Sequence, residues 1–136
     1  MDFSRFPDKK SVEEQRDDLS DADLSDMDLR GIDLSTDNAG DWSRLSGANF
    51  SGADLSGADF RKSQFFTSVF CETSLSEVDF RGANLIGAHL SGADLRETKI
   101  DTETILRRAN LCFANLSDMY LRRIDLSDVF LSLYNF

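Results

Sequence analysis

The chain offers few side chains that could carry out chemistry, and its single histidine is the first of them. His89 stands at a position that neighbouring segments give to Asp or Asn. A zinc site needs several close ligands, and neither a second histidine nor a cysteine close in sequence is available. No set of nucleophile, base and acid can be built around this imidazole. We therefore predict no enzyme, no metal and no cofactor, and interpret His89 as a variant within a repeat.

Serine is the abundant hydroxyl nucleophile, but its spacing is too regular for a catalytic site. Ser46, Ser51 and Ser56 each precede a glycine at intervals of five residues. Such pairs are typical of turns and not of a glycine-rich phosphate loop. They belong to a five-residue repeat, small–Asp/Asn–Leu/Phe–polar–polar, of which residues 53–57 are one copy. We name its five positions, in order, the small, Asx, central, first corner and second corner positions.

A five-residue period excludes an ordinary helix or strand, because neither keeps one face inward at that spacing. A square solenoid does, since each repeat makes one side and four repeats make a coil of about 20 residues, stacked at ~4.8 Å. We number the four sides from Leu45, Phe50, Leu55 and Phe60, and we expect residues 20 apart to stack. The small position should also face inward, where only Ala, Ser, Thr or a similar residue should fit.

These residues resemble the pentapeptide-repeat protein family, whose repeat is A(D/N)LXX. The resemblance extends over roughly residues 17–136. It implies an all-β solenoid that folds as a right-handed quadrilateral β-helix. From the repeats and the N-terminal residues we expect about five to six coils with a short N-terminal helical cap. We divide the chain into a lead-in and capping helix at 1–16 and a β-helix at 17–136. An insertion at 35–44 and a one-residue bulge near 101–103 interrupt the five-residue period.

The N-terminal residues carry a helix signal of their own. Ser11 followed three residues later by Glu14 is a capping-box pattern, which predicts a helix over about residues 12–17. The insertion leaves the central residues before Leu45 without an assigned side.

Composition limits the partners of the chain. With 29% charged and 40% hydrophobic residues, the chain is typical of a folded soluble protein. Its first residues lack a signal peptide pattern, so we predict a cytoplasmic protein without a membrane segment. The net charge of −10 argues against direct nucleic acid binding. Nine of the 25 acidic residues occupy the Asx position, however, so much of this acidity belongs to the repeat.

The two cysteines are not expected to form a disulfide. Cys71 and Cys112 both occupy the first corner position of the second side, two coils apart. That separation is ~9.6 Å between α-carbons, beyond the reach of a disulfide. We predict free thiols.

Departures from the repeat mark the candidate binding surfaces. Apolar residues stand at outward positions of the first and second sides, and Trp42 lies in the insertion; the candidate protein-binding patch is Phe66, Val69, Ile86, Ile105, Phe113 and Trp42. Trp42 is equally explained as an anchor for its own loop. The arginines of the fourth side are explained as a solvated face of ion pairs.

The C-terminal end is apolar and allows two interpretations. It is either a final coil that covers its own core or an interface between two copies of the chain. The candidate homodimer interface is Phe130, Leu131, Leu133, Tyr134 and Phe136. Members of the family that the chain resembles often dimerise in this way, and both interpretations remain open.

Two functions follow from these features. The first is a non-enzymatic scaffold or adaptor that binds a protein partner of unknown identity. The alternative, implied by resemblance to quinolone-resistance members of the family, is an acidic mimic of DNA that binds and modulates a topoisomerase of the gyrase type. This chain departs from those members in being short and in having a basic fourth side.

Overall fold

The backbone is organised by isolated parallel β-bridges that form ladders on four sides. The computed structural model describes residues 2–36 and 45–132. The ladder of the second side contains Asp23, Asn49, Val69, His89, Asn110 and Phe130. Similar ladders start at Gln64 on the first side, Asp28 on the third and Asp33 on the fourth. We use the word row for one circuit of the four sides.

The ladders give the register that the sequence left open. Between Asn49 and Val69 the step is 20 residues, as predicted, but Asp23 pairs with Asn49 and therefore steps 26. The first row is thus assigned to its sides, and six residues beyond the regular step belong to the insertion, whose residues 37–44 lie outside the described part. Between Asn84 and Ile105 the step is 21.

Asp101 organises the extra residue of that longer step. Its Oδ1 atom accepts the backbone N–H of Gly82, of Glu103 and of Thr104, at 3.0 to 3.1 Å. The Thr104 hydroxyl then donates to the Phe80 carbonyl of the preceding row at 3.0 Å. The bulge is therefore held by side-chain bonds, and the ladders continue beyond it.

Each repeat satisfies its own backbone N–H groups, and this explains the Asx position. In residues 53–57, the N–H of Ala53 donates within its turn, that of Asp54 to the row before, and those of Leu55 and Gly57 to the row after. The N–H of Ser56 donates to none of these backbone carbonyls. Asp54 Oδ1 accepts it at 3.1 Å. Asp and Asn fit because a short side-chain carbonyl reaches the N–H two residues on.

The interior is filled by the central residues and the small positions. Phe50 and Phe70, one row apart, stack with ring centroids 5.0 Å apart and an interplanar angle of 6°. Phe60 and Phe80 stack likewise at 5.5 Å. These pairs confirm the predicted 20-residue stacking, and aromatic rings in contact add to the stabilisation from burial.

The expectation that only small residues fit beside the central residue is wrong at three positions. Met27, Ile32 and Val78 occupy the small position and are buried. Where Ser or Thr stands there, its hydroxyl bonds inside the solenoid: Thr73 Oγ1 donates to the Phe50 carbonyl at 2.8 Å, and Ser68 Oγ donates in the same way to a first-side carbonyl. The position therefore also accepts larger apolar side chains, besides small ones and hydroxyls that are hydrogen bonded inside the solenoid.

The N-terminal helix starts three residues earlier than the sequence predicted. Helix α1 spans Lys9–Glu14, and its N-cap is Asp8, whose side chain accepts the Ser11 N–H at 2.9 Å. Ser11 completes the capping box from within the helix, so the prediction that the helix begins after Ser11 was wrong. Val12 on this helix is fully buried in the core. Nothing in the described part is a helix long and apolar enough to cross a membrane.

The N-terminal segment also provides donors to the open edge of the first row. That edge presents N–H groups of the Asx positions and carbonyl oxygens, and the carbonyl oxygens need donors. Asp2 donates its N–H to Asp23 O at 3.1 Å on the second side. Three cationic side chains donate hydrogen bonds to carbonyl oxygens of the other sides. Arg5 donates to Asp18 O at 2.9 Å, Lys9 to Arg30 O at 2.8 Å, and Arg16 to Ser35 O.

The last described row is less tightly packed than the others. Its central residue Leu126 and the neighbouring Ile124 are only partly buried against the core. Phe130 pairs through both backbone groups, donating to Ala109 O at 2.9 Å and accepting from Leu111 N–H at 2.8 Å. Of the predicted dimer interface, Phe130 and Leu131 are exposed. Leu133, Tyr134 and Phe136 lie outside the described residues.

Candidate protein-binding surface

A shallow groove of about 500 Å³ lies along the corner between the first and second sides. It is lined by Phe66, Thr67, Ile86, Gly87, His89, Arg108, Asn110 and Phe130. We call this surface the corner groove. Its lining comes from successive rows, so one short sequence segment could not form it.

Phe66 and Ile86 form one wall of the corner groove. Both occupy the first corner position of the first side, and Thr67 N–H donates to Ile86 O at 3.2 Å between their rows. The stacked backbone therefore places the two apolar side chains next to each other. Phe66 is 40% exposed although the repeat gives Ser to the equivalent position of the row before, Ser46.

The depression exists because a glycine lies between two larger corner residues. Gly87 is at the second corner position, with Thr67 in the row before and Arg108 in the row after. A Cβ atom on Gly87 would lie 3.6 Å from Thr67 Cγ2, so a longer side chain there would enter the groove. Thr67 and Arg108 have φ angles of 55° and 59°, in the left-handed region. For β-branched Thr67 this backbone conformation is strained.

The second side supplies the other wall. His89, Asn110 and Phe130 follow one another on its bridge ladder at the Asx position. Asn110 keeps the Asx turn, accepting the Cys112 N–H at 3.0 Å. Phe130 has no side-chain acceptor to offer, and its ring is 62% exposed. The backbone of Phe130 is thus held by its bridge while its side chain faces outward.

The predicted patch is only partly brought together by the fold. Phe66 and Ile86 line the corner groove, and Phe130, predicted for the dimer interface, joins them. Val69 lies half-buried on the second-side ladder, beside His89. Ile105 and Phe113 are exposed outside the lining, and Trp42 lies outside the described residues.

Four polar members of the groove were missed by the sequence reasoning. His89 was interpreted as a repeat variant, and Thr67, Arg108 and Asn110 were not singled out. The register of the repeats could have identified these residues. With the predicted stacking, His89, Asn110 and Phe130 fall on one ladder of the second side, next to the first-side ladder whose corner holds Phe66. The sequence reasoning ranked residues by hydrophobicity and did not use this register.

Several arginines of the described part differ from Arg108 of the groove because they are paired within single repeats. Arg61 and Arg81 bond Asp59 and Asp79, two residues before each, at 2.8 and 2.6 Å. The same arrangement on the third side lowers the pKa of Asp28 to about 2, through hydrogen bonds from the side chain and then the backbone of Arg30. On the fourth side, the predicted ion pairs form at Arg61 and Arg81.

Reactive groups are sparse in the part of the chain that the structure describes. Cys71 and Cys112 are free thiols, as predicted. No cluster of His, Cys, Asp or Glu side chains there has the geometry of a metal site.

A second groove of about 620 Å³ lies on the opposite part of the solenoid. Its lining mixes Arg81 and Lys99 with Glu97 and Asp118, so it has no single charge preference. Tyr120 on its rim is 83% exposed. This groove provides a comparison surface for experiments on the first.

Comparisons with known proteins agree with the repeat pattern. A family model described as pentapeptide repeats matches in eight copies, over residues 41–70, 63–100 and 102–132. The crystal structure of the pentapeptide repeat protein Rfr23, from the cyanobacterium Cyanothece 51142, is 26% identical over 95% of each chain, with a TM-score of 0.70. No curated protein sequence matches significantly.

Two further structures superpose less well. HetL from Nostoc sp. strain PCC 7120, a protein involved in heterocyst differentiation regulation, is 30% identical over 82% of this chain and 48% of its own, with a TM-score of 0.48. Trypsin-treated QnrB1, a plasmid-mediated fluoroquinolone resistance protein, is 20% identical over 88% of this chain and 86% of its own, with a TM-score of 0.39. Superpositions this poor carry no functional argument.

The family assignment rests on agreement between sequence and geometry. The matched segments contain the repeats whose Asx turns and stacked bridges build the four sides. Proteins of this kind fold as right-handed quadrilateral β-helices, and the superposition on Rfr23 extends over nearly the whole chain. The chain belongs to the pentapeptide repeat family.

Proposed function

We propose that this chain is a non-enzymatic, cytoplasmic scaffold or adaptor that binds a partner protein through the corner groove. The observation that carries the proposal is the convergence of Phe66, Ile86 and Phe130 on one groove. Outward positions of the repeat have no structural need for apolar side chains. Their burial against a partner is the interaction that accounts for them.

The energetic argument favours binding over a purely structural role. Phe66 and Phe130 are 40% and 62% exposed, so they contribute little to the core. Fully burying a side chain of this type stabilises a complex by about 1.5–3 kcal/mol. Two such aromatic residues beside Ile86 could supply the centre of an interface, because a few buried anchors usually dominate binding energy.

Affinity capture with a matched pair of variants tests this proposal. Wild-type protein, Phe66→Ser/Ile86→Ser and Tyr120→Ser would be used to capture proteins from a lysate, after thermal unfolding has shown that all three are folded. A partner bound through the corner groove should be recovered with wild type and Tyr120→Ser and lost with the double variant. Equal recovery by all three proteins would rule out this surface.

The alternative, an acidic DNA mimic that modulates a topoisomerase, has less support. Asp28, Asp59, Asp79 and Asp94 are each paired with an arginine two residues later. A mimic of the phosphate backbone needs carboxylates that are available to a partner's cations. A supercoiling assay with gyrase tests this alternative, which predicts inhibition or protection by excess protein.

Two structural proposals accompany the functional one. We propose that the solenoid has about five to six coils, with α1 covering its first row, and that two copies associate through the C-terminal row. The exposure of Phe130 and Leu131 supports the second proposal. Light scattering after size exclusion measures the mass directly, and a monomer at high concentration would exclude the dimer.

A further inference from the structure

We infer that the corner groove takes an extended protein segment in which apolar side chains are flanked by carboxylates, with a carboxylate pairing to Arg108. This inference rests on the proposed protein-binding function and specifies the chemistry of the partner.

The charge of the groove is opposite to that of the chain as a whole. The chain carries a net charge of −10, yet the described lining of the groove contains Arg108 and His89 and no Asp or Glu. Arg108 therefore lies beside the apolar side chains in a lining that holds no carboxylate. A partner with negative charge next to its apolar residues is favoured on both counts.

Arg108 is not neutralised by its own repeat, unlike Arg61, Arg81 and Arg96. Arg61 occupies a first corner position, and Asp59 at the Asx position bonds it. Arg108 occupies a second corner position, and the Asx position of its repeat holds Ile105, which has no charge. Among the described residues no ion pair forms with Arg108. If an apolar partner covered this guanidinium without offering a carboxylate, the guanidinium would lose its hydration and gain no ion pair to compensate for that loss.

The dimensions of the groove suit an extended segment. From Phe66 to Phe130 the lining crosses three row steps, which is ~14 Å at the strand spacing. An extended chain covers that length in about four residues. A single Arg108 and a net charge of −10 do not suit the phosphate backbone of a nucleic acid, which needs many cations.

Two members of the groove lack the acceptor of the Asx turn. His89 and Phe130 stand at the Asx position, where most repeats have Asp or Asn. Neither residue is needed there by the turn, so a binding role can account for their side chains.

A binding assay with designed peptides tests the inference. The probe is a fluorescently labelled, capped peptide with Leu and Phe flanked by Asp on both sides. Matched peptides replace the flanking Asp by Lys, or the apolar pair by Ala. Fluorescence anisotropy with the full chain should show saturable binding of the Asp-flanked apolar peptide, and binding weaker by roughly fivefold or more for the other two.

Charge exchange on the protein sharpens the test. Arg108→Glu should reverse the preference between Asp-flanked and Lys-flanked peptides. The variant should fold, because Glu72 already occupies a second corner position with a φ of 56°. Arg123→Glu is the matched control, since Arg123 is exposed at a second corner position with a φ of 66° on another side. It should leave the preference unchanged.

The outcomes separate this inference from the proposed function. If Phe66→Ser/Ile86→Ser loses a captured partner while Arg108→Glu retains it, the carboxylate chemistry is wrong and the groove still binds protein. If capture does not depend on the groove and no peptide binds, the inference and the proposed function are both wrong. Preference for the Lys-flanked peptide by wild type would overturn the inference alone.

Discussion

The carboxylate of Asp21 occupies the space in which a side chain on Gly47 would begin. A Cβ atom built on Gly47 would lie 2.1 Å from Asp21 Oδ1, and the φ angle of Gly47 is 72°. The two residues are at second corner positions of the first side, in consecutive rows. The absence of a side chain at one corner thus accommodates the side chain of the row before.

Gly47→Ala should therefore destabilise the protein more than the same change at an open corner. Gly57 has a φ of 69°, but a Cβ atom there would meet no other atom within 4 Å, so Gly57→Ala measures the left-handed strain alone. We expect about 1–2 kcal/mol for Gly57→Ala and a clearly larger loss for Gly47→Ala. Urea unfolding measures both, and equal losses would show that Asp21 moves aside freely.

Phe113→Gly should raise stability. Phe113 is 71% exposed and has a φ of 61°, a conformation that costs a bulky residue about 1–2 kcal/mol and glycine almost nothing. Phe66→Gly is the control, because Phe66 is not among the residues with positive φ and glycine there should destabilise. A lower unfolding midpoint for Phe113→Gly would mean that its ring makes a stabilising contact.

Stability should fall as the pH falls from about 4 to about 2. Hydrogen bonds from Arg30 lower the pKa of Asp28 to about 2, and those from Arg96 lower that of Asp94. Their ordinary value in an unfolded chain is about 3.9. A depressed folded pKa contributes stability above the unfolded pKa, which is lost as the pH passes down through the folded value.

Thermal unfolding at several pH values measures this loss. Asp94→Asn keeps the Asx acceptor but removes the charge, so its melting temperature should depend less on pH than that of wild type. Asp128→Asn, which changes a corner residue, serves as the control. An unchanged pH dependence in Asp94→Asn would contradict the assignment to the Asp–Arg pairs.

Removing the cations that serve the first row should promote self-association. Arg5, Lys9 and Arg16 donate to carbonyl oxygens of the open edge. Replacing all three by Met keeps much of their length but leaves those oxygens without donors, and unpaired edges attract other chains. Light scattering should detect larger species, and urea unfolding a lower midpoint. Lys10→Met, at an exposed lysine of α1, should change neither measurement.

The position of α1 shows where sequence reasoning failed for a physical reason. Ser11 and Glu14 have the spacing of a capping box, but so do Asp8 and Ser11. Local spacing does not choose between two overlapping patterns. The burial of Phe6 and Val12 in the core depends on contacts with the solenoid, so tertiary packing chose the earlier start.

The candidate site likewise contains residues that the sequence identified and a residue that it did not. Phe66 and Ile86 were identified as outward apolar residues because the repeat predicts polar residues there. Arg108 was not, because a charged residue at a corner is ordinary in sequence. It became part of a site only when the rows placed it beside Phe130 and left it without a carboxylate in its own repeat.

By itself the sequence determined the repeating unit: the buried central residue, the Asp or Asn before it and the 20-residue stacking. These depend on bonds within one repeat or between neighbouring rows, so a short period encodes them. Only the tertiary structure decided the 26-residue step of the first row, the edge contacts of Arg5 and Arg16, and the composition of the corner groove. Those features join residues that are far apart in the chain, and no local pattern specifies which of them meet.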